Sequence, residues 1–477
     1  MNFDLSDDEL RRLGHEAIEL VVAAVGAERR DPVIRPVSGQ AIRALLDEPL
    51  PRAATAPDDL LAAWRDVVMP YCRHNGHPRF FGYVVTSADP LGVLADAVAS
   101  AMNQPVTAWR SSPSAMEIER LVVRWLTELT GFGGAGHGLL VSGGSSANFH
   151  AMAAAIVAAE ARAGLPAGSR HRLTVYLSTE GHVSLRKAAR LLGVAPDQIR
   201  VIGVDERRRM RVNDLAARMH ADRDLGLVPA AVLMSAGTAN TGAIDPLDEI
   251  VDLAAREGVW SHVDGSYGAP AVLTADYAWM AHAFARADSM SLDPHKWLFV
   301  PCDAGCVLVR DENATRRAFE ASSEYTTVTQ TDPIERFALF DHGLEMSRRF
   351  RGLKVWTVLK GRGADALAAA IQRDIDLRRH LDARVDADAR LEALGSELSI
   401  SCFRYRPDGV EDAAAIDRVN RTIVEMLVAD GRCYMSPTTL DGQYALRACI
   451  VNFRTTTGDV DFLVDEVLRI GQEASSA

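Results

Sequence analysis

The chain has 477 residues, nearly half of them apolar and about a quarter charged, with a formal net charge of −12. That length exceeds one small domain and supports a large core with a second domain, and the composition excludes a disordered chain. The acidic balance, free of any long single-sign run, argues against nucleic acid or an anionic membrane as the partner.

The opening stretch MNFDLSDDELRRL is acidic and lacks the apolar core of a signal peptide. It reads as a helix start: Ser6 and Glu9 have capping-box spacing, and Leu10, Leu13, Ala17, Leu20 and Val21 follow at helical intervals. Residues 1–85 are expected to form a mostly helical arm, broken by the proline-rich stretch Pro49 to Pro57, whose apolar face needs a partner surface. Residues 86–340 form the expected large domain. In it the short apolar runs Leu139–Val141, Leu173–Leu177, Val201–Val204, Ala230–Met234, Val259–Val263, Ser289–Leu292 and Gly305–Val309 alternate with amphipathic stretches such as Ala147–Ala163 and Leu247–Glu257. Near-continuous apolar strands alternating with helices predict an α/β fold with a mostly parallel seven-stranded sheet covered on both faces. Residues 341–477 read as a smaller α+β domain: helical over Arg351–Ala387, strands at Leu398–Tyr405 and Tyr444–Phe453, and a last helix over Val460–Ile470. No apolar run is long enough to span a membrane. The six cysteines include no C-x-x-C pair, so no metal site is expected, and reduced thiols in a cytoplasmic protein are.

Ligands of such sheets sit beyond the carboxyl ends of the strands, and four segments there carry chemistry. Lys296 lies in Ser291-Leu-Asp-Pro-His-Lys-Trp297, where flanking by His295 and Trp297 favours a desolvated amine, nucleophilic toward a carbonyl. Asp264 ends the run Val259-Trp-Ser-His-Val-Asp, and a carboxylate at a buried strand tip needs a partner such as a protonated ring nitrogen. Ser142-Gly-Gly-Ser-Ser-Ala-Asn148 joins a strand to a helix, and glycines with free amides at a helix start make an anion site suited to a monophosphate. It is neither a Walker A loop nor G-x-G-x-x-G. His182, in Ser178-Thr-Glu-Gly-His, is placed to stack on a cofactor ring. Taken singly, each has an ordinary reading: a surface lysine, a salt-bridged acid, a glycine turn, a loop histidine. Their succession at strand ends in one chain favours a common site.

Together with His77-Pro-Arg-Phe-Phe-Gly, Ser112-Pro-Ser-Ala-Met-Glu117 and Arg348-Arg-Phe-Arg-Gly-Leu-Lys354, these segments resemble the group II pyridoxal-phosphate decarboxylases, relatives of the aromatic-amino-acid, glutamate and histidine decarboxylases. Asp293-Pro-His-Lys-Trp297 with His262-Val-Asp264 is the most specific part. The resemblance implies fold type I, pyridoxal 5′-phosphate as cofactor, and a homodimer with active sites at the subunit interface. It implies that Gly144 and Ser145 hold the phosphate, His182 covers the ring, and Asp264 pairs with the pyridinium. It further implies that His295 touches phosphate or ring and that Lys296 forms the Schiff base. Tyr325, in Ala318-Phe-Glu-Ala-Ser-Ser-Glu-Tyr, matches the loop tyrosine that protonates the product carbanion. Two aromatic pocket positions of the animal enzymes fall here on Asn75 and Thr107, while Phe81 and Tyr83 keep some aromatic surface. The expected activity is decarboxylation of an L-amino acid, aromatic by first choice. The alternatives are a smaller, acidic or aliphatic substrate, an aldehyde synthase, or an aminotransferase or lyase. A binding protein on an inactive scaffold is a further, non-enzymatic alternative.

Overall fold

The computed structural model describes residues 3–28, 30–134, 136–320 and 331–476. The chain divides into two compact units: Val84–Arg378 with Gly395–Ile400 make one, and the chain through Tyr83, Arg379–Leu394 and everything from Ser401 make the other. The strands in chain order are β1 Phe80–Phe81, β2 His137–Val141, β3 Leu173–Ser178, β4 Ile199–Ile202, β5 Val228–Ser235, β6 Trp260–Asp264, β7 Ser289–Leu292, β8 Gly305–Val309, β9 Leu391–Glu397, β10 Ile400–Tyr405, β11 Tyr434–Leu440 and β12 Gln443–Cys449.

In the larger unit seven strands form one sheet in the order β2-β8-β7-β6-β5-β3-β4. Its neighbours pair parallel except where β8 runs against both β7 and β2. Each of β3, β6, β7 and β8 is buried along its whole length, as strands covered on both faces must be. The helix Gly144–Arg162 lies across this sheet. Its Ala147 and Ala151 join the cluster of Leu139, Val141, Val307 and Val309, while Met152, Ala155, Ile156 and Ala159 join Val175, Leu177, Ala231 and Leu233. Small side chains let that helix sit close to the strands. Gly305 serves the same closeness at the strand ends, since a Cβ there would collide with the backbone of Gly143. Arg348 and Glu119 form an ion pair with both side chains 1% exposed, and Glu119 also accepts from Leu140 N at 2.9 Å, which ties the Arg348–Lys354 motif and the helix Pro113–Thr130 to β2. Because β2, β3, β5, β6 and β7 all point one way, the residues just after each of them converge on one edge.

The other unit carries most of the sheet β1-β11-β12-β10-β9, with β1 parallel to β11 and β11 antiparallel to β12. Its helices Ala413–Asp430 and Thr457–Ser476 each bury one face. The amino-terminal helices Asp7–Ala27 and Gly39–Leu46 bury no residue, and Leu10, Ile18, Val22, Leu45 and Leu46 are exposed. The expected cap is present, with Ser6 Oγ accepting from Glu9 N at 3.2 Å.

Three local expectations differ. The helical stretch Arg351–Ala387 is two helices, Arg351–Arg362 and Ala364–Asp386, because Gly363 adopts φ +78°, outside any right-handed helix. The fourth strand lies two residues earlier than Val201–Val204, at Ile199–Ile202. β1, β9 and β11 were not expected: β1 is only two residues long, β9 ends in Gly395-Ser-Glu397, and β11 holds Pro437, so none makes a long apolar run. Among the described residues no helix is long and apolar enough to cross a membrane.

Candidate active site

At the shared edge of the sheet a cavity of about 340 Å3 opens among the turns that follow β2, β3, β5, β6 and β7. Gly144, Ser145, His182, Asp264, His295 and Lys296, six residues singled out in four separate segments of sequence, all line it.

The turn after β2 leads straight into the helix Gly144–Arg162, whose first helical bond is Ala147 N to Gly143 O at 3.0 Å. The amides of Gly144, Ser145 and Ser146 precede it, and no side chain caps this end. The result is a set of aligned donors at the positive end of a helix, with serine hydroxyls beside them. Gly144 is required here by space: a Cβ would collide with Ser266 Oγ and lie 2.9 Å from Asp293 Oδ2. His295 packs beside Gly143 and bonds through Nδ1 to the Ala304 backbone at 2.7 Å.

Asp264 ends β6 and is 7% exposed. It accepts from Asn148 Nδ2 at 3.1 Å, Ser291 Oγ at 3.1 Å and Ser266 N at 3.2 Å. Burial pushes this carboxyl up, but hydrogen bonding from Ser266 and the nearby Lys296 ammonium more than offset it, so it lies below the usual carboxylate range. Asp264 is therefore an anion at neutral pH. Lys296 pairs with Asp293 Oδ2 at 2.9 Å, with the lysine side chain 23% exposed and the acid 2%. Behind Asp264 lies His262, on the same face of β6, since alternate strand residues share a face. Burial drives the His262 ring down to about 4, so it is neutral.

The other expected residues lie elsewhere. Thr107 belongs to the larger unit, where its hydroxyl meets Ser111 Oγ at 3.1 Å, and it is not among the cavity lining. Asn75, Phe81 and Tyr83 belong to the other unit. Phe81 is fully enclosed in β1. Asn75 Oδ1 accepts from Arg73 Nε at 2.9 Å. Tyr83 is half exposed, in the left-handed conformation at φ +54°, and stacks on Tyr434 at 6.0 Å. Tyr325 lies outside the described residues. Reading the sequence overlooked Asn148, Ser184, His262, Ser266 and Asp293 as site residues. A signal was present for two of them. Asn148 is one turn along the helix from Gly144, on the same face of an otherwise alanine-rich segment, and His262 is a polar residue inside a strand buried on both sides.

The cavity thus offers anion-binding amides, a primary amine and a buried ionised carboxylate. Such a set accepts one ligand that carries a phosphate, an electrophilic carbonyl and a basic ring nitrogen.

Comparison with known proteins agrees with that chemistry. Residues 39–406 match the model of the pyridoxal-dependent decarboxylase conserved domain. The chain is 35% identical over 475 residues to an aromatic-L-amino-acid decarboxylase of Bacillus atrophaeus, covering 99% of this chain and 98% of the relative. It is 28% identical over 463 residues to phenylacetaldehyde synthase of Petunia hybrida, covering 94% and 91%. The crystal structure of Oryza sativa TDC with PLP and tryptamine superposes with a TM-score of 0.93 at 28% identity, over 99% of each chain.

Proposed function

The chain belongs to the pyridoxal-dependent decarboxylase family and is an amino-acid decarboxylase that uses pyridoxal 5′-phosphate; from that premise we propose that its substrate is an aromatic L-amino acid. The observation that carries this reading is similarity along essentially the whole chain to the Bacillus relative, whose name specifies aromatic amino acids. The rice protein of the same fold holds tryptamine, an aromatic amine, in its crystal structure.

The cavity residues fit the cofactor, because each of its polar parts has a counterpart among them. When bound, pyridoxal phosphate supplies a protonated ring that takes up the electron pair left as the Cα–carboxylate bond breaks. In the proposed assignment Lys296 holds the cofactor covalently through Nζ. Gly144 and Ser145 hold the phosphate with the open helix terminus, and His295 supports that turn. Asp264, kept ionised in spite of burial, retains the proton on the ring nitrogen. His182 covers the ring and, with Tyr325, governs the proton that returns to Cα. Of the two aromatic candidates, Phe81 is enclosed and Tyr83 has exposed surface to offer a substrate ring.

We also propose a homodimer in the cytoplasm. The exposed apolar side chains of the amino-terminal helices support an intersubunit arm. Val22→Asp is expected to convert dimer to monomer in sedimentation, and an unchanged mass would count against the arm.

The deciding assay follows carbon dioxide, amine and aldehyde from L-tryptophan, L-tyrosine, L-phenylalanine and L-DOPA beside L-glutamate, L-aspartate and L-histidine, with Lys296→Ala as blank. Faster turnover of any non-aromatic acid would overturn the substrate class. Oxygen-dependent aldehyde as the main product would place the chain with the synthase relative instead.

A further inference from the structure

Asp264 and His182 stand at the ends of different strands, yet a single buried chain of hydrogen bonds joins them, and its direction can be read. Trp260 Nε1 can only donate, and it donates to Ser289 Oγ at 2.8 Å. The donation of the Asn148 amide nitrogen to the Asp264 carboxylate turns its acceptor-only oxygen toward His262 Nε2, so the neutral His262 ring carries its proton on Nε2 and its Nδ1 accepts from the Ser289 hydroxyl at 2.9 Å. That N–H donates to Asn148 Oδ1 at 3.0 Å. With its oxygen so used, the Asn148 amide nitrogen points both of its donors forward, one to Asp264 Oδ2 at 3.1 Å and one to Ser184 Oγ at 3.0 Å. The opposite amide orientation would set oxygen against a carboxylate and nitrogen against a donor, so it is excluded. Ser184 Oγ, accepting from Asn148, has its own proton left for His182 Nδ1 at 2.7 Å. The backbone N–H of Ser184 also points at His182 Nδ1, at 3.3 Å, as part of the cap of the helix Val183–Leu191.

We propose that Asn148 and Ser184 are positioning residues of the decarboxylase: one amide and one hydroxyl hold Asp264 and His182 in a common network and make Nδ1 of His182 the acceptor and Nε2 the donor. The internal members Asn148, Ser184, His262 and Ser289 are at most 3% exposed, so water does not compete for these bonds. Ser289 and Ser291 stand opposite His262 and Asp264 in the register of β6 with β7, which fixes the spacing of the chain by sheet geometry. His182, Ser184 and Asp264 line the cavity, so the network ends where a ligand begins. A histidine whose Nδ1 is occupied in this way meets the cavity as a donor through Nε2. The same amide that steadies the acid also sets which face of the imidazole carries its hydrogen.

The catalytic bearing of this network rests on the roles proposed above for Asp264 and His182; the tautomer itself does not. The first measurement is made on cofactor-free protein labelled with 15N-histidine, with His182→Gln to assign the signal. The His182 ring is expected as a single species with an unprotonated Nδ1. Ser184→Ala, which retains only the longer backbone contact, is expected to raise the Nδ1–H form, and Ser184→Thr to restore the parental spectrum. In loaded enzyme Ser184→Ala is expected to lower kcat about tenfold with KM little changed, and Ser184→Thr to recover it. A parental ring that carries its proton on Nδ1 overturns the proposal whatever the activity. So does a Ser184→Ala enzyme with parental kcat. An inactive parent with the expected spectrum would instead defeat the proposed function and leave the tautomer assignment in place.

Discussion

The helix Asp7–Ala27 closes its own amino terminus, with Ser6 accepting from Glu9 N and Asp7, Asp8 and Glu9 in the first turn, whereas the helix Gly144–Arg162 has neither a side-chain cap nor an acid there. Their bodies show the reverse. The first buries none of its residues, and the second buries most of them, with Ala147, Ala151 and Ile156 fully enclosed. One helix is saturated at its end and unsatisfied along its flank; the other is satisfied along its flank and open at its end. The unsatisfied part marks where something else must bind: an apolar surface in the first case, an anion in the second.

The largest effect expected from testing this contrast lies at the open end. Lys296→Ala should reduce turnover on the order of a thousandfold or more. It should also abolish borohydride labelling of the peptide around Trp297. Label on another lysine would remove the assignment. Asp264→Asn, which leaves the shape of the cavity but not its charge, should cost on the order of a hundredfold in kcat. Retained activity would mean that this carboxylate does not steer the ring nitrogen.

A third test uses pH on the cofactor-free protein. The ring of His262 is held near 4 in the folded chain against 6.5 when unperturbed. As pH falls below 6.5 the unfolded chain takes up a proton that the folded chain refuses. Stability from this group is complete above that pH, declines down to about 4, and is worth about 3 kcal/mol in all. The thermal midpoint of His262→Gln should consequently fall less steeply than that of the parent between these limits. Parallel slopes would show that His262 titrates normally.

Smaller effects separate the two helix ends. Gly144→Ala should favour the helix by its own propensity yet weaken cofactor binding about tenfold, because the added carbon meets Ser266 and Asp293. Cofactor fluorescence titration would show it, and unchanged affinity would mean that the turn has room to spare. Ser6→Ala should loosen the first helix by about 1 kcal/mol, seen as faster amide exchange in its first turn, with cofactor affinity unaltered. A change in affinity would show that the two helix ends are coupled rather than independent.

Which parts of this molecule could be read from its sequence follows from how far apart the interacting residues are. The Ser6 cap, the helix Leu247–Glu257 and the buried strands β3, β6, β7 and β8 depend on neighbours within a few positions, and periodicity exposes them. Lys296 and Asp264 were legible for a related reason: each is a charged residue at the tip of an apolar run, where solitary burial would be costly. Asn148, Ser184 and His262 were harder. Their polarity inside buried elements was visible, but their partners were not, because Asn148 meets Ser184, His262 and Asp264 across 36, 114 and 116 positions.

The sequence alone determined the alternation of strands and helices, the helix starts and the four segments that carry chemistry, since each is set by local backbone preference and by the side chain's own character. Tertiary structure decided the strand order with β8 reversed, the collision that reserves position 144 for glycine, the charge of Asp264 and the direction of the hydrogen bonds behind it. Those properties belong to pairs of groups, and only the folded sheet brings the pairs within reach.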